Sequence, residues 1–425
     1  MTIALFLLVL FAAMTVGVPI AFALMLTALA LMVHLDFFDA QLLAQNVQAG
    51  FDSFPLLAVP FFILAGELMN AGGLSRRIID LARAFVGHIP GGLGYVAIAA
   101  SVMLASMSGS AIADTAALAT LLLPMMRQQR YPEGTSAGLI ASGGIIAPII
   151  PPSMPMVIYG VTTNTSISKL FLAGIVPGLL MAVSLVLVWR RIAGKEQLPV
   201  AEKTDWSHRR RVLASSIWAL FMPVIIIGGL RLGIFTPTEA AVVAAVYALI
   251  VAMFVYRELS VTGLYRVFVD AGRTTGVVMF LCGAATAASY MITLADLPNQ
   301  LADVMGPLLQ NPMLFMAVVA VFLLAVGMVM DLTPTILILA PVLAPLAAKA
   351  GIDPVYFGFV FIFVGCVGLL TPPVGTVLNV VAGVGGLRME QVIRGVTPFL
   401  LIYVAMLALL IVFPAIVLQP LKWMF

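Results

Sequence analysis

Two stretches of the sequence combine hydroxyl groups, glycine and a carboxylate inside otherwise apolar segments. The first is Ser-Met-Ser-Gly-Ser over 106–110, followed by Asp114, and the second contains Gly327, Asp331 and Thr333. Hydroxyls, carboxylates and the free carbonyls of a glycine-rich turn are oxygen ligands, and unwound backbone of this kind coordinates Na⁺ in transporters. These stretches therefore predict sites for a hard cation.

A proline pair follows each of these stretches along the chain. Pro151-Pro152 precedes Ser153, and Pro372-Pro373 lies within the stretch 371–376. Proline pairs interrupt helices, and an interrupted helix at membrane depth is tolerated only inside protein or beside a polar cavity. We therefore expect both breaks to line a site.

The oxygen-bearing residues of these stretches and breaks divide into two predicted roles. The predicted substrate-binding residues are Ser106, Ser108, Ser153, Thr376 and Asn379. The predicted cation ligands, through side chains or backbone carbonyls, are Gly109, Ser110, Asp114, Pro152, Gly327, Asp331, Thr333, Thr371, Val374 and Gly375. Because all Lys and Arg residues lie in loops or at the ends of spans, an anionic substrate would be held by hydroxyls, backbone N–H groups, half-helix N-termini and bound cations.

A structural role is open for several of these side chains. Asp114 and Asp331 could act as N-caps of the helices that follow them, accepting backbone N–H bonds. Ser153 and Thr376 pose the same choice between a ligand and a cap. Capping and cation binding are compatible, so the residue types alone leave both interpretations open.

The composition places all these residues in a membrane protein. Of 425 residues, 63% are hydrophobic and only 9% are charged, whereas about 25% are charged in an ordinary soluble domain. Long apolar runs recur along the chain, which predicts an all-α polytopic membrane protein and excludes the soluble enzymes. The histidines fall in loops and neither cysteine has metal-site spacing, so we expect no enzyme activity and no cofactor beyond a coupling ion such as Na⁺.

The lengths of the apolar segments predict hairpins as well as spans. Segments 93–124 and 313–345 are longer than the about 20 residues that cross a bilayer, and we interpret them as re-entrant helical hairpins. Segments 135–163 and 355–384 contain the proline pairs and are predicted to be broken helices. Segments 74–88 and 296–310 are short amphipathic stretches before each hairpin.

The distribution of basic residues supports this arrangement. With both hairpins re-entrant, all but four of the 21 Lys and Arg residues fall on one side, which is then cytoplasmic. That side includes Lys203 in the basic linker 190–211. The other side holds only Lys169, Arg231, Lys349 and Lys422.

Recurring spacings predict an internal repeat. The proline pairs are 221 residues apart, Asp114 and Asp331 are 217 apart, and Pro19 and Pro237 are 218 apart. We expect residues 1–189 and 212–425 to be two inverted repeats whose hairpins open to opposite faces, as in secondary transporters. Residues 1–33 are either one long tilted helix or two short helices broken at Gly17-Val18-Pro19.

Several of these motifs resemble the large membrane subunit of TRAP transporters (tripartite ATP-independent periplasmic, DctM type) of the ion-transporter superfamily. The resemblance is carried by residues 87–92, 106–110 with 113–114, 234–241, 351–354 and 368–375. It implies an elevator-type, Na⁺-coupled importer of a small organic acid in the bacterial inner membrane. It also implies two partners: a small four-helix membrane subunit and a periplasmic substrate-binding protein.

The sequence leaves several alternatives open. The substrate could be a dicarboxylate, a keto acid, a sugar acid or sialic acid, and the runner-up function is a stand-alone Na⁺- or H⁺-coupled carboxylate carrier of the same superfamily. A passive channel would lack the inverted broken repeats. The chain starts directly with an apolar segment that we expect to be retained, so the small subunit is expected to be a separate polypeptide. Membrane lipid is an expected partner and nucleic acid is not.

Overall fold

The computed structural model describes residues 2–196, 198–200 and 205–424. Within these ranges the regular structure is helical, with 21 α-helices and no β-strand. Among the described residues, seven helical segments are long and apolar enough to cross a membrane: Phe54–Ala71, Ile167–Lys195, Trp206–Arg231, Pro237–Val255, Val261–Leu294, Leu332–Lys349 and Met389–Val412. The prediction of an all-α polytopic membrane protein is confirmed.

The first half of the chain forms ten helices, and a short 3₁₀ turn at Phe54–Leu57 precedes the fourth. They are α1 (Thr2–Thr15), α2 (Ile20–His34), α3 (Ala40–Ala49), α4 (Ala58–Ala71), α5 (Leu74–Val86), α6 (Gly92–Ser108), α7 (Ala111–Gln128), α8 (Glu133–Gly144), α9 (Met154–Thr163) and α10 (Ile167–Lys195).

The second half forms the remaining helices, with a π-helical turn at Val251–Val255 after the second of them. They are α11 (Trp206–Arg231), α12 (Pro237–Ile250), α13 (Val261–Leu294), α14 (Leu297–Val304), α15 (Gly306–Leu309), α16 (Pro312–Gly327), α17 (Leu332–Lys349), α18 (Pro354–Gly368), α19 (Thr376–Gly385), α20 (Met389–Val412) and α21 (Ala415–Met424).

Residues 1–33 were predicted to form either one long helix or two short ones, and the structure shows two. The chain forms the two helices α1 and α2, separated by Gly17 with a φ of +87° and by Pro19. Proline fixes its own φ and cannot donate the hydrogen bond that would continue α1, so the break follows from the local sequence.

In the predicted basic linker 190–211, Lys203 lies outside the described residues.

The two predicted hairpins are pairs of consecutive helices. In the first, α6 and α7 are joined by Gly109 and Ser110, and in the second, α16 and α17 are joined by residues 328–331. Each arm has 16 to 18 residues, which corresponds to about 24–27 Å at 1.5 Å per residue.

Both helices that contain a proline pair are interrupted. Residues 145–153 separate α8 from α9, and residues 369–375 separate α18 from α19. The peptide bonds Pro151-Pro152 and Pro372-Pro373 are both cis. The second piece of each helix starts directly after the break, with Ser153 at the N-cap position of α9 and Gly375 at that of α19.

Helix packing relates the two halves reciprocally. The hairpin arm α7 contacts α19 of the other half, and its counterpart α17 contacts α9. In the same way α8 contacts α20 while α18 contacts α10, and α4 contacts α12 while α13 contacts α2. Contacts of this exchanged form are what two structural repeats related by a pseudo-twofold axis produce.

These contacts sort the helices into two groups. One group is built around α1, α2, α4 and α11 to α13, and the other contains the hairpins, the broken helices, α10 and α20. Outward-facing apolar side chains such as Leu187, Phe221, Phe254 and Leu401 are exposed on the protein. An apolar exterior of this kind fits a lipid environment, because contiguous apolar surface in water is unfavourable.

Candidate functional site

The tip of the first hairpin is organised by hydroxyl groups. Ser110 is the N-cap of α7, and its Oγ accepts a hydrogen bond from the Ala113 N–H at 3.3 Å. The Ser108 Oγ donates to the Asp114 carboxylate and accepts from the Ser110 N–H at 3.2 Å. Asp114 lies in the first turn of α7 rather than at its cap, so the N-cap interpretation of Asp114 is wrong, because Ser110 takes that position.

Two oxygen atoms beside this tip are buried and unsatisfied. Asp114 is 4% exposed and Thr115 is 0% exposed, and among the described residues neither the Asp114 Oδ2 nor the Thr115 Oγ1 has a hydrogen-bond partner. Gly144, at the end of α8, lies against the Thr115 hydroxyl. Buried polar atoms are normally paired, so these two oxygens are candidate ligands for a cation.

The first break packs directly on the first hairpin. Gly109 has a φ of +62°, and a Cβ atom at this position would lie 2.5 Å from the Pro152 carbonyl oxygen. Ser153 is completely buried, its Oγ donates to the Pro148 carbonyl at 2.6 Å, and it accepts from the Met156 N–H at 3.3 Å. Glycine is required at the tip because only a residue without a side chain fits both this φ and this contact.

The second hairpin contacts its own break through the backbone. The Gly375 N–H donates to the Met328 carbonyl at 3.2 Å. A Cβ on Gly327 would lie 2.9 Å from the Gly368 Cα, so the end of α16 and the end of α18 touch through two glycines. Asp331 occupies the N-cap position of α17, but its carboxylate makes no capping hydrogen bond with the described residues.

The second break is more open than the first. Pro373, Val374 and Asn379 are exposed, and the Asn379 Nδ2 donates to the Val374 carbonyl at 3.0 Å. The Thr371 hydroxyl donates to the Val367 carbonyl at 2.8 Å. The Thr376 Oγ1, at the start of α19, is a buried atom that lacks a hydrogen-bond partner within the described ranges.

A small cavity of about 60 Å³ lies between the two hairpins, and we call it the inter-hairpin cavity. Gly109 and Ser110 line it from the first hairpin, while Asp331 and Thr333 line it from the second. Pro148 from the first break, Pro155 from the first turn of α9 and Leu369 from the second break also line it. Residues more than 200 positions apart in the sequence therefore meet at one site.

The predicted site residues are not all in one place. Gly109, Ser110, Asp331 and Thr333 line the inter-hairpin cavity, and the other predicted residues lie in the same hairpins and breaks without lining it. Ser106 donates to the Met103 carbonyl at 2.7 Å and lines a separate apolar crevice among α6, α10 and α11. It lies on the opposite face of α6 from Ser108.

Sequence reasoning gave two polar features no role. The first is the buried Thr115 hydroxyl, which directly follows Asp114 and could have been found from that adjacency. The second is a cavity of about 370 Å³ on the less basic side, the hydroxyl-lined cavity, with side chains such as Asn46, Ser53, Thr162, Ser289 and Thr293. It depends on tertiary packing of α3, α9 and α13, which no local signal shows. Within the described ranges no three His, Cys, Asp or Glu side chains come together as a metal-binding group.

Two hairpins and two broken helices that meet at one site are typical of transporters, and comparisons with known proteins identify the family. The family described as "Tripartite ATP-independent periplasmic transporter, DctM component" matches residues 7–416. The chain belongs to this family. It is therefore a TRAP transporter large permease subunit, a multi-pass membrane protein and not an enzyme.

Similar proteins match most or all of the chain. The 2,3-diketo-L-gulonate TRAP transporter large permease protein YiaN of Escherichia coli (strain K12) is 53% identical over 100% of both chains. The sialic acid TRAP transporter large permease protein SiaM of Vibrio cholerae is 40% identical over 94% of this chain and 93% of its own length. The C4-dicarboxylate TRAP transporter large permease protein DctM of Pseudomonas aeruginosa is 38% identical over 88% of this chain and 87% of its own.

A solved structure shares the fold at low sequence identity. The crystal structure of the Alcanivorax borkumensis YdaH transporter, reported to have an unusual topology, superposes with a TM-score of 0.63 at 15% identity. The match covers 89% of this chain and 88% of that one. The similarity concerns the arrangement of helices.

Proposed function

We propose that this permease imports a small organic acid across the bacterial inner membrane, coupled to the Na⁺ gradient. The observation that carries the proposal is the inter-hairpin cavity, where Gly109 and Ser110 of one hairpin meet Asp331 and Thr333 of the other. A site held between two inverted hairpins can be exposed first to one face of the membrane and then to the other, which gives alternating access in transporters built from repeats.

Cation coupling is supported by the unsatisfied oxygens around the first hairpin. An ionised carboxylate in a membrane-buried position is very unfavourable without a partner, and the Asp114 Oδ2 has none among the described side chains. The neighbouring Thr115 and Ser108 hydroxyls supply further oxygen atoms. We assign one Na⁺ ion to this region. We assign a second Na⁺ ion to the equivalent region of the other half, formed by Asp331, Thr371, Val374 and Gly375.

The substrate is an organic anion held without basic side chains. No Lys or Arg lines the inter-hairpin cavity in the part of the chain that the structure describes. The carboxylate is then bound by the Thr376 hydroxyl, which has no hydrogen-bond partner among the described residues, by half-helix N-termini and by the bound cations. The Ser108 and Ser153 hydroxyls, which were predicted for the same role, already donate to the Asp114 carboxylate and the Pro148 carbonyl, so they would have to give up these hydrogen bonds to bind the substrate. Because a 2,3-diketo-L-gulonate permease is 53% identical over the whole chain, that sugar-derived keto acid is the first probe to test.

Movement is assigned to the group of helices that contains the hairpins. We propose that it slides as one body against the group built on α1, α2, α4 and α11 to α13, in an elevator-type motion. The two groups meet through α4 against α6 and α9, and through α13 against α17. The proposed partners are a small four-helix membrane subunit and a periplasmic binding protein that delivers the substrate.

The test is uptake into proteoliposomes that contain both membrane subunits and the loaded binding protein. We expect uptake of labelled 2,3-diketo-L-gulonate, succinate or sialic acid to require an inward Na⁺ gradient. Equal uptake with choline in place of Na⁺ would contradict Na⁺ coupling and favour protons. Equal uptake by the purified chain without a binding protein would instead favour a stand-alone carboxylate carrier.

The orientation is tested separately with single cysteines at exposed positions. We expect Arg130→Cys and Glu390→Cys to react only with reagents added from the cytoplasm, and Ser166→Cys and Lys349→Cys only from outside, because the basic residues concentrate on one side. Labelling of position 130 from outside would contradict a re-entrant first hairpin.

A further inference from the structure

Another cavity, of about 480 Å³, lies beside the first hairpin on the predicted cytoplasmic side, and we call it the vestibule. One wall is the face of α7 that carries Ala113, Ala116, Ala117 and Thr120. The other wall is the start of α5, including Ser75 and Arg76. The small side chains of α7 leave this space open to a small organic molecule.

The vestibule and the inter-hairpin cavity are lined by successive parts of one helix, α7. Ser110, Ala111 and Ile112 line the inter-hairpin cavity, and the vestibule begins at the next residue, Ala113. From Ser110 to Thr120 the helix rises about 15 Å at 1.5 Å per residue. Helix α7 therefore lines both the proposed substrate site and a cavity on the predicted cytoplasmic side.

One arginine, Arg76, lines the vestibule, and the acidic side chain beside it is paired with a different arginine. Glu258 also lines it, but its carboxylate pairs with the Arg77 guanidinium at 2.6 Å, and Arg77 stacks on the Tyr256 ring at 3.7 Å. Arg76 is exposed and forms no ion pair within the described residues. It does not pair even with Asp80, which lies one turn further along α5. One guanidinium is left over for an anion.

The cavity on the other side of the protein differs in this respect. The residues that line the hydroxyl-lined cavity include no Asp, Glu, Lys or Arg within the described ranges. A positive charge with low-dielectric walls raises the local concentration of anions, and a neutral cavity does not. The attraction for an anion is therefore confined to one side.

We propose that the vestibule is the path by which the transported organic anion reaches the cytoplasm, and that Arg76 attracts its carboxylate there. This inference rests on the proposed function and adds a positioning residue to it. Arg76 does not hold the anion in the inter-hairpin cavity, which it does not line. It raises the local concentration of the anion at the cytoplasmic end of the path, so it favours capture of the anion from the cytoplasm.

The charge is tested with a cysteine inside the vestibule. Ala117→Cys is introduced in a Cys282→Ala, Cys366→Ala background of the complex with the small subunit, and inside-out vesicles are labelled with an anionic and a cationic methanethiosulfonate reagent. Arg76→Gln should lower the ratio of anionic to cationic labelling rates by about 3- to 10-fold at low ionic strength, and the loss should shrink at 1 M salt, where the screening length is about 3 Å.

Matched variants separate charge from structure. Arg76→Lys keeps the charge and should retain the labelling ratio. Arg83→Gln removes an exposed arginine of the same helix that does not line the vestibule, and it should leave the ratio unchanged. Equal ratios in Arg76→Gln and Arg83→Gln would overturn the role of Arg76.

Transport kinetics then separate this inference from the proposed function. In Arg76→Gln the half-saturating substrate concentration for efflux from the cytoplasmic side should rise severalfold, while that for uptake from outside stays the same. If the unmodified complex shows no Na⁺-driven uptake, the proposed function fails. If it does, and Arg76→Gln leaves both half-saturating concentrations unchanged, only the role of the vestibule fails.

Discussion

The two hairpin-and-break regions share the same order of helices but bury their polar atoms differently. In the first region Asp114 is 4% exposed and Ser153 is fully buried. The Pro152 carbonyl of the break lies directly against Gly109 of the hairpin. In the second region Asp331 is half-buried and Val374 is exposed. Repeated sequence positions therefore share a location in the fold without sharing an environment, and substitutions at matched positions should have unequal effects.

The largest difference is expected for glycine. Gly109→Ala forces a side chain onto a φ of +62° and to within 2.5 Å of the Pro152 oxygen, which should lower the free energy of unfolding by about 2–5 kcal/mol. Gly327→Ala faces only the contact with Gly368, at 2.9 Å, and should cost about 1–3 kcal/mol. The measurement is the thermal melting midpoint in detergent.

A control separates the backbone from the contact. Gly386 also has a φ of +62° but no atom within 4 Å of an added Cβ, so Gly386→Ala should cost only about 1–2 kcal/mol. If Gly386→Ala is as destabilising as Gly109→Ala, close packing between the first hairpin and its break contributes nothing.

The second difference concerns the carboxylates. Asp114→Asn keeps the shape but removes the charge, and the half-maximal Na⁺ concentration for uptake should rise about 10- to 100-fold if the carboxylate binds or orients the cation. Asp331→Asn should have a smaller effect, because water can reach this half-buried position. Thermal stability should change little in both variants.

The control is Asp353→Asn at the start of α18. The Asp353 carboxylate accepts from the Val355 and Tyr356 N–H groups at 2.9 Å and lines no part of the inter-hairpin cavity. Its replacement should leave the Na⁺ dependence unchanged. If Asp114→Asn and Asp331→Asn do the same, the cation is held by backbone carbonyls around Gly109, Gly327 and the two breaks.

The smallest difference is expected between the two hydroxyls after the proline pairs. Ser153→Ala removes the hydrogen bond to the Pro148 carbonyl and the cap of α9, so it should cost about 1–2 kcal/mol of stability. Thr376→Val removes a hydroxyl that is unpartnered among the described residues, and it should change stability by less than about 0.5 kcal/mol. If Thr376 binds substrate, the half-saturating substrate concentration should still rise severalfold. An unchanged value would remove Thr376 from the site.

The sequence predicted the elements of the fold well, because their signals are local or periodic. Proline pairs, long apolar runs and constant spacings located the hairpins and both breaks, and Gly17 with Pro19 marked the division between α1 and α2. Helix α3 was missed, although Asp39 caps it by accepting from the Leu42 N–H at 3.0 Å. Helix α3 is rich in polar residues, so a search for apolar spans does not detect it.

The candidate site was predicted less completely. Ser106 and Ser108 are two residues apart in a helix, which places them on opposite faces, so helical periodicity alone could have separated them. The cap of α7 is Ser110, and Asp114, four residues later, belongs to the first turn. The unequal burial of Asp114 and Asp331 arises from packing between distant helices, and no local pattern contains it.

The central claim is that the hairpin regions bind the coupling cation, and ligand-dependent stability tests it most directly. The purified complex with the small subunit is melted in NaCl and in choline chloride at equal ionic strength. A ligand that binds only the folded state at 100 times its Kd stabilises it by about 2.7 kcal/mol. We predict a melting temperature that rises with Na⁺ for the unmodified protein and a much smaller rise for Asp114→Asn. Identical melting of the unmodified protein in both salts, over the full range of concentrations, would contradict the claim.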